Sequence, residues 1–120
     1  FTPTLVSTGG GTCTYTLQQG SYTRIGNRVL FNLFVIISNN GLSPGSLTIA
    51  GLPIAAATTC SLAVFAQTLG AGVVTQVMAA TANASTAIGI SQYAAGNAGD
   101  INANTLTNTS QFAISGQYIV

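Results

Sequence analysis

A chain of 120 residues that is 48% hydrophobic has enough apolar material to fold as one domain, 1–120, and sets aside a disordered tail. It carries two arginines, one aspartate, and no lysine, glutamate, histidine or tryptophan; the net charge is +1, and charged residues are 2% of the whole, against about 25% in an ordinary soluble domain. With no histidine and Asp100 as the one carboxylate side chain, general-base, metal-centred and paired-carboxylate chemistry lack their residues, and two arginines cannot neutralise a run of phosphates. We therefore expect no enzyme, no cofactor, no bound metal and no nucleic-acid partner. The surface must be covered by neutral polar groups, which 17 threonines, 10 serines, 9 asparagines and 7 glutamines supply.

The first predicted strand is Cys13–Gln18, where threonines alternate with Cys13, Tyr15 and Leu17 in the period of two that gives a strand one inward face. Tyr22–Ile25 and Arg28–Ser38 flank Gly26-Asn27, a two-residue turn of types that tolerate positive φ, so a hairpin is predicted. That hairpin is expected to bring Arg24 and Arg28 together, where they repel unless Asp100 or carbonyl groups compensate. Val29 to Ile37 is apolar on both faces apart from Asn32. It fits a central strand and a strand offering one face to another subunit equally well. Although mean hydropathy is +0.53, this longest apolar run reaches about half of the roughly 20 residues a spanning helix needs, and no membrane insertion is expected.

Strands follow at Ser46–Ala50, Cys60–Gln67, Val73–Ala79, Ala87–Tyr93 and Gln111–Val120, separated by turn signals such as Gly51-Leu52-Pro53, Gly70-Ala71-Gly72 and Asn97-Ala98-Gly99-Asp100. The alanine-rich stretch from Ala79 to Ala87 is not read as a helix, because Thr81, Asn83, Ser85 and Thr86 interrupt it and no apolar stripe is sustained. The last strand places Phe112, Ile114, Gly116, Tyr118 and Val120 on one side, leaving Ile119 outward beside Gln117 and Ser115 and suggesting a second buried surface. About eight antiparallel strands give an all-β, jelly-roll-like β-sandwich. If the Val29–Ile37 strand is fully packed, Phe31→Ala and Phe34→Ala should each cost about 3–5 kcal/mol. Cys13 and Cys60, far apart and without a CxxC context, read as free, partly buried thiols in preference to a bridge.

Three stretches stand out: Gly20-Ser-Tyr-Thr-Arg-Ile-Gly-Asn-Arg-Val-Leu-Phe31, Ser46-Leu-Thr-Ile-Ala-Gly-Leu-Pro53, and the closing Leu106-Thr-Asn-Thr-Ser-Gln-Phe-Ala-Ile-Ser-Gly-Gln-Tyr-Ile-Val120. Together with the long apolar strand between the first two, they resemble the domain found at the C-terminal end of bacteriophage tail fibres and tailspikes. The motifs are scaffold motifs rather than a catalytic signature. The resemblance implies a β-sandwich that forms a homotrimer at the fibre tip, belongs to a longer fibre protein of the virion made in the host cytoplasm, and helps engage a host receptor. It names no ligand. A permanent trimer also suits the composition, since burying neutral amides and hydroxyls avoids the several kcal/mol that unpaired buried charges cost.

For a cell-surface carbohydrate the candidates are aromatics and amides on polar ground: Tyr93 and Asn97, because the stretch from Ala94 to Asn104 reads as a binding loop, and Tyr22. Arg24 and Arg28 could take an anionic sugar through their planar forks, against structural pairing with Asp100 or with carbonyls. A competing class is a purely structural virion module, a capsid decoration or fibre clamp without a ligand. An ice-binding protein is set aside because the threonines follow no regular repeat.

Overall fold

The computed structural model describes residues 1–70, 76–94 and 97–120. Among them lie strands β1 (Thr4–Ser7), β2 (Thr14–Ile25), β3 (Arg28–Asn39), β4 (Leu47–Ala50), β5 (Ser61–Leu69), β6 (Gln76–Thr81), β7 (Ala87–Ala94), β8 (Asn97–Asp100) and β9 (Leu106–Ile119), with a 3₁₀ turn at Ala103–Thr105. The all-β, antiparallel expectation holds. The strands nevertheless form one continuous path, β1-β4-β7-β6-β5-β9-β3-β2, with β8 on β7, instead of two separate sheets. Strand β5 makes the continuity: Ser61 and Leu62 pair with Ala80 and Ala79 of β6, while Ala63 to Gln67 pair with β9 on the other edge.

The sheet curls until its two edges, β1 and β2, face each other as a nearly closed barrel. Side chains bridge the seam. The Leu5 N–H donates to the Tyr15 phenol oxygen at 2.8 Å, and Gln18 Nε2 donates to the Pro3 carbonyl at 2.7 Å. The Phe1 nitrogen donates to the Gly20 carbonyl at 3.0 Å. These bonds satisfy edge groups that would otherwise invite pairing with another chain.

Alternation explains the core. In β3, Val29, Phe31, Leu33, Val35 and Ile37 are buried, and they meet Phe112, Ile114 and Tyr118 of β9 and Ile88 and Ile90 of β7 in one cluster. Phe31 and Tyr118 pack edge-to-face with ring centroids 5.7 Å apart, and the Tyr118 hydroxyl donates to the Ile54 carbonyl at 2.9 Å.

Several boundaries differ from expectation. Gln19-Gly20 reads as a turn but continues β2, joining the two strands predicted there; Gly20 lies opposite Leu33, and a Cβ on it would stand 2.5 Å from the Phe1 ring. The polar stretch after Tyr93 also contains a strand, β8, paired with β7. Strand β1 was not anticipated, being four residues between Pro3 and Thr8. Residues Val73 to Thr75 of a predicted strand lie outside the described residues.

The few buried polar side chains are paired. Thr81 Oγ1 accepts from the Cys60 N–H at 2.9 Å and donates to the Thr58 carbonyl at 3.0 Å; Ser110 Oγ donates to the Thr68 carbonyl and accepts from the Thr107 N–H, both at 2.8 Å. Cys13 and Cys60 are free and half-buried. Half-buried Asn40 joins three segments: its Nδ2 donates to the Ala103 and Leu106 carbonyls, both at 3.1 Å, its Oδ1 accepts from the Leu42 N–H at 3.2 Å, and its own N–H donates to Asn108 Oδ1 at 2.8 Å. Asn40→Ala removes the partners of two carbonyls and an amide, and urea unfolding should show a loss of about 1–3 kcal/mol.

Burial pushes the phenols of Tyr15 and Tyr118 above their ordinary value of about 10. The folded chain then keeps protons that the unfolded chain releases. Their contribution is full below about pH 10 and declines as pH rises through the folded-state values, so melting temperature should fall on the alkaline side, and Tyr118→Phe should flatten that fall.

Candidate functional site

The two arginines do not meet. In the hairpin Ile25 pairs with Arg28 and Arg24 pairs with Val29, so Arg24 and Arg28 leave opposite faces of the sheet and the expected repulsion does not arise. Gly26 takes φ 60° at the first central position of the turn, the glycine-led form that suits the twist of a tight hairpin. Arg24 Nε donates to the Gly26 carbonyl at 2.9 Å, which is the carbonyl alternative among its expected partners. Asp100 lies exposed on β8, and no ion pair joins it to either arginine among the described residues.

The remaining candidates are dispersed. Tyr93 is on β7, where the predicted Ala87–Tyr93 strand places it; it pairs with Gln76 and Ala98 and is 43% exposed. Asn97 opens β8 opposite Ala94. Tyr22 sits on edge strand β2, 47% exposed, its ring edge-on to Phe1 at 6.3 Å. Tyr93 and Asn97 thus share the β7–β8 hairpin, while Tyr22, Arg24 and Arg28 share the β2–β3 hairpin, with β6, β5 and β9 between β7 and β3.

The structure instead places an apolar row among polar side chains on the outer face of the β5–β9–β3–β2 half of the sheet, with Asn32 and Ser115 on one side of it and Gln67 and Gln111 on the other. Phe65, Ala113 and Phe34 form one cross-strand row, with Phe65 57% exposed and Phe34 half-buried. Ile36 lies two residues further along β3, and Leu30 and Ile119 are exposed toward the other end. The small Ala113 between two phenylalanines leaves a shallow groove of about 260 Å³ beside Phe65, walled by Asn32, Ala63 and Ser115. In the Val29–Ile37 strand, Val29, Phe31, Leu33, Val35 and Ile37 build the core, as the central-strand reading expects, while Leu30, Phe34 and Ile36 point away from it. Phe65 escaped sequence reasoning, although its place between Val64 and Ala66 carried the same signal of apolar residues on both faces.

A second cavity, about 360 Å³, opens at the Arg28 end of this face, lined by Arg28, Cys60, Ser61, Gln117, Tyr118 and Ile119.

No protein-family model matches the chain, and a search of curated proteins found no match. Among solved structures the chain is similar to the Dettilon tailspike protein, with a TM-score of 0.78 and 23% sequence identity over 99% of this chain. The match takes in 23% of the tailspike chain, so the present chain spans about a quarter of its length. What the two share is the antiparallel, all-β fold, over virtually every residue of this chain.

Proposed function

We propose that this chain is a non-enzymatic module of a phage tailspike or tail fibre, which associates with two further copies of itself and contributes to attachment at the host surface. The observation that carries the reading is the fold likeness to a tailspike segment over 99% of the chain at a TM-score of 0.78. The motifs of β2–β3, of Ser46 to Pro53 and of β9 point to the same class of virion protein, and the near-absence of charge suits a surface largely covered by other subunits.

The outer face of β5–β9–β3–β2 supports self-association. Exposed Phe65 and Leu30, with half-buried Phe34 and Ile36, make an apolar patch that isolated soluble chains seldom leave open. A second copy brings no like charge onto the Phe65–Ala113–Phe34 row.

For attachment, a glycan array probed with the folded chain provides the test. Reproducible saccharide binding weakened at least tenfold in Tyr93→Ala supports a receptor role through the β7–β8 hairpin. The dispersal of the candidate residues over two hairpins favours a second reading, a structural virion module without ligand, and a folded assembly that binds no saccharide is the result it expects.

A further inference from the structure

The cavity at the Arg28 end of the sheet deepens the attachment role and rests on it: we propose that it binds a carboxylate-bearing sugar, a uronic or nonulosonic acid residue of a surface glycan. At about 360 Å³ it falls in the lower part of the usual range for small-ligand pockets, roughly 300–1,000 Å³, and suits one sugar ring with part of a second.

Its polar lining is exposed to solvent. Among the described residues, Arg28, Ser61 and Gln117 make no side-chain hydrogen bond and Arg28 makes no ion pair, whereas Arg24 is tied to the Gly26 carbonyl on the opposite face. Arg28 is held at its backbone by pairing with Ile25 on one side and Ile119 on the other, which fixes where its fork starts. The floor is rigid, because the Tyr118 side chain turns into the core beneath it, 1% exposed, and its hydroxyl is held by the Ile54 carbonyl.

These parts match one ligand chemistry. A planar carboxylate accepts two parallel hydrogen bonds from a guanidinium, the Gln117 amide and Ser61 hydroxyl meet ring hydroxyls, and Ile119 faces the C–H side of the sugar. A neutral sugar would displace water from Arg28 without replacing its partner, so the site discriminates by charge. The Phe65 row lies four residues along the strands from Ser61 and Gln117 and six from Arg28 and Ile119, about 13 to 20 Å at 3.3 Å per residue.

Calorimetric titration of the folded chain with 3′-sialyllactose, trigalacturonate, lactose and glucose 6-phosphate tests the proposal. We expect one or both acidic sugars to bind more weakly as salt is raised, lactose to bind at least tenfold less tightly, and Arg28→Gln to lose at least tenfold in affinity for the acids at unchanged melting temperature. Wild-type affinity in Arg28→Gln overturns the proposal, as does glucose 6-phosphate binding more tightly than both carboxylates. Lactose bound as well as sialyllactose overturns it while leaving the attachment role standing. Absence of binding to all four, together with an empty glycan array, overturns both.

Discussion

Phe31→Ala should lower the unfolding free energy by about 3–5 kcal/mol, whereas Phe34→Ala, three residues on, should cost roughly 1 kcal/mol in the monomeric chain. Phe31 is 6% exposed, lies opposite Tyr22 and Gly116 on the neighbouring strands, and touches the rings of Phe1 and Tyr118 at 6.4 and 5.7 Å; removing it opens a hole that β3, paired along both edges, cannot collapse to fill. Phe34 points the other way and is half-buried. Equal costs for the two, expected when the strand is taken as packed on both sides, would mean that the chain itself covers the outer face. Urea unfolding in a monomeric background separates the cases.

The second large effect falls on assembly. Phe65→Arg should weaken self-association about a hundredfold or more while leaving the melting temperature of the monomer nearly unchanged, because the side chain is 57% exposed in the single chain and is the most exposed member of the apolar row. In a symmetric complex every copy would carry the same guanidinium into a low-dielectric contact, and the chain has a single carboxylate side chain to meet it. Sedimentation of the variant against wild type reads the change. Unaltered association in Phe65→Arg would place the interface elsewhere.

Alternation made most of the fold legible. The Gly26-Asn27 turn, the period-two pattern of β9 and the two-faced run of β3 each predict the element that forms, and the last two also point to a second buried surface. What sequence reasoning missed follows from pairing between distant segments. Gly20 punctuates in one dimension, but in three it lies within β2 and the Phe1 ring occupies the space a side chain would take. Asn97-Ala98-Gly99-Asp100 has turn composition and becomes a strand because β7 offers it an edge. The join between the two halves of the sheet depends on two residue pairs, Ser61–Ala80 and Leu62–Ala79, which no local pattern announces.

The candidate site was less legible. Choosing Tyr93 and Asn97 followed from taking the stretch after Tyr93 as a loop, and β8 removes that ground. Arg28 was chosen for its fork, but its cavity is made by Ser61 and Gln117, which are remote in sequence and ordinary in type.

Sedimentation equilibrium of the wild-type chain at micromolar concentration tests the central claim, that copies of this chain cover one another's apolar sheet face. The account predicts a species of about three times 12.0 kDa. A stable species of 12.0 kDa up to tens of micromolar would contradict it.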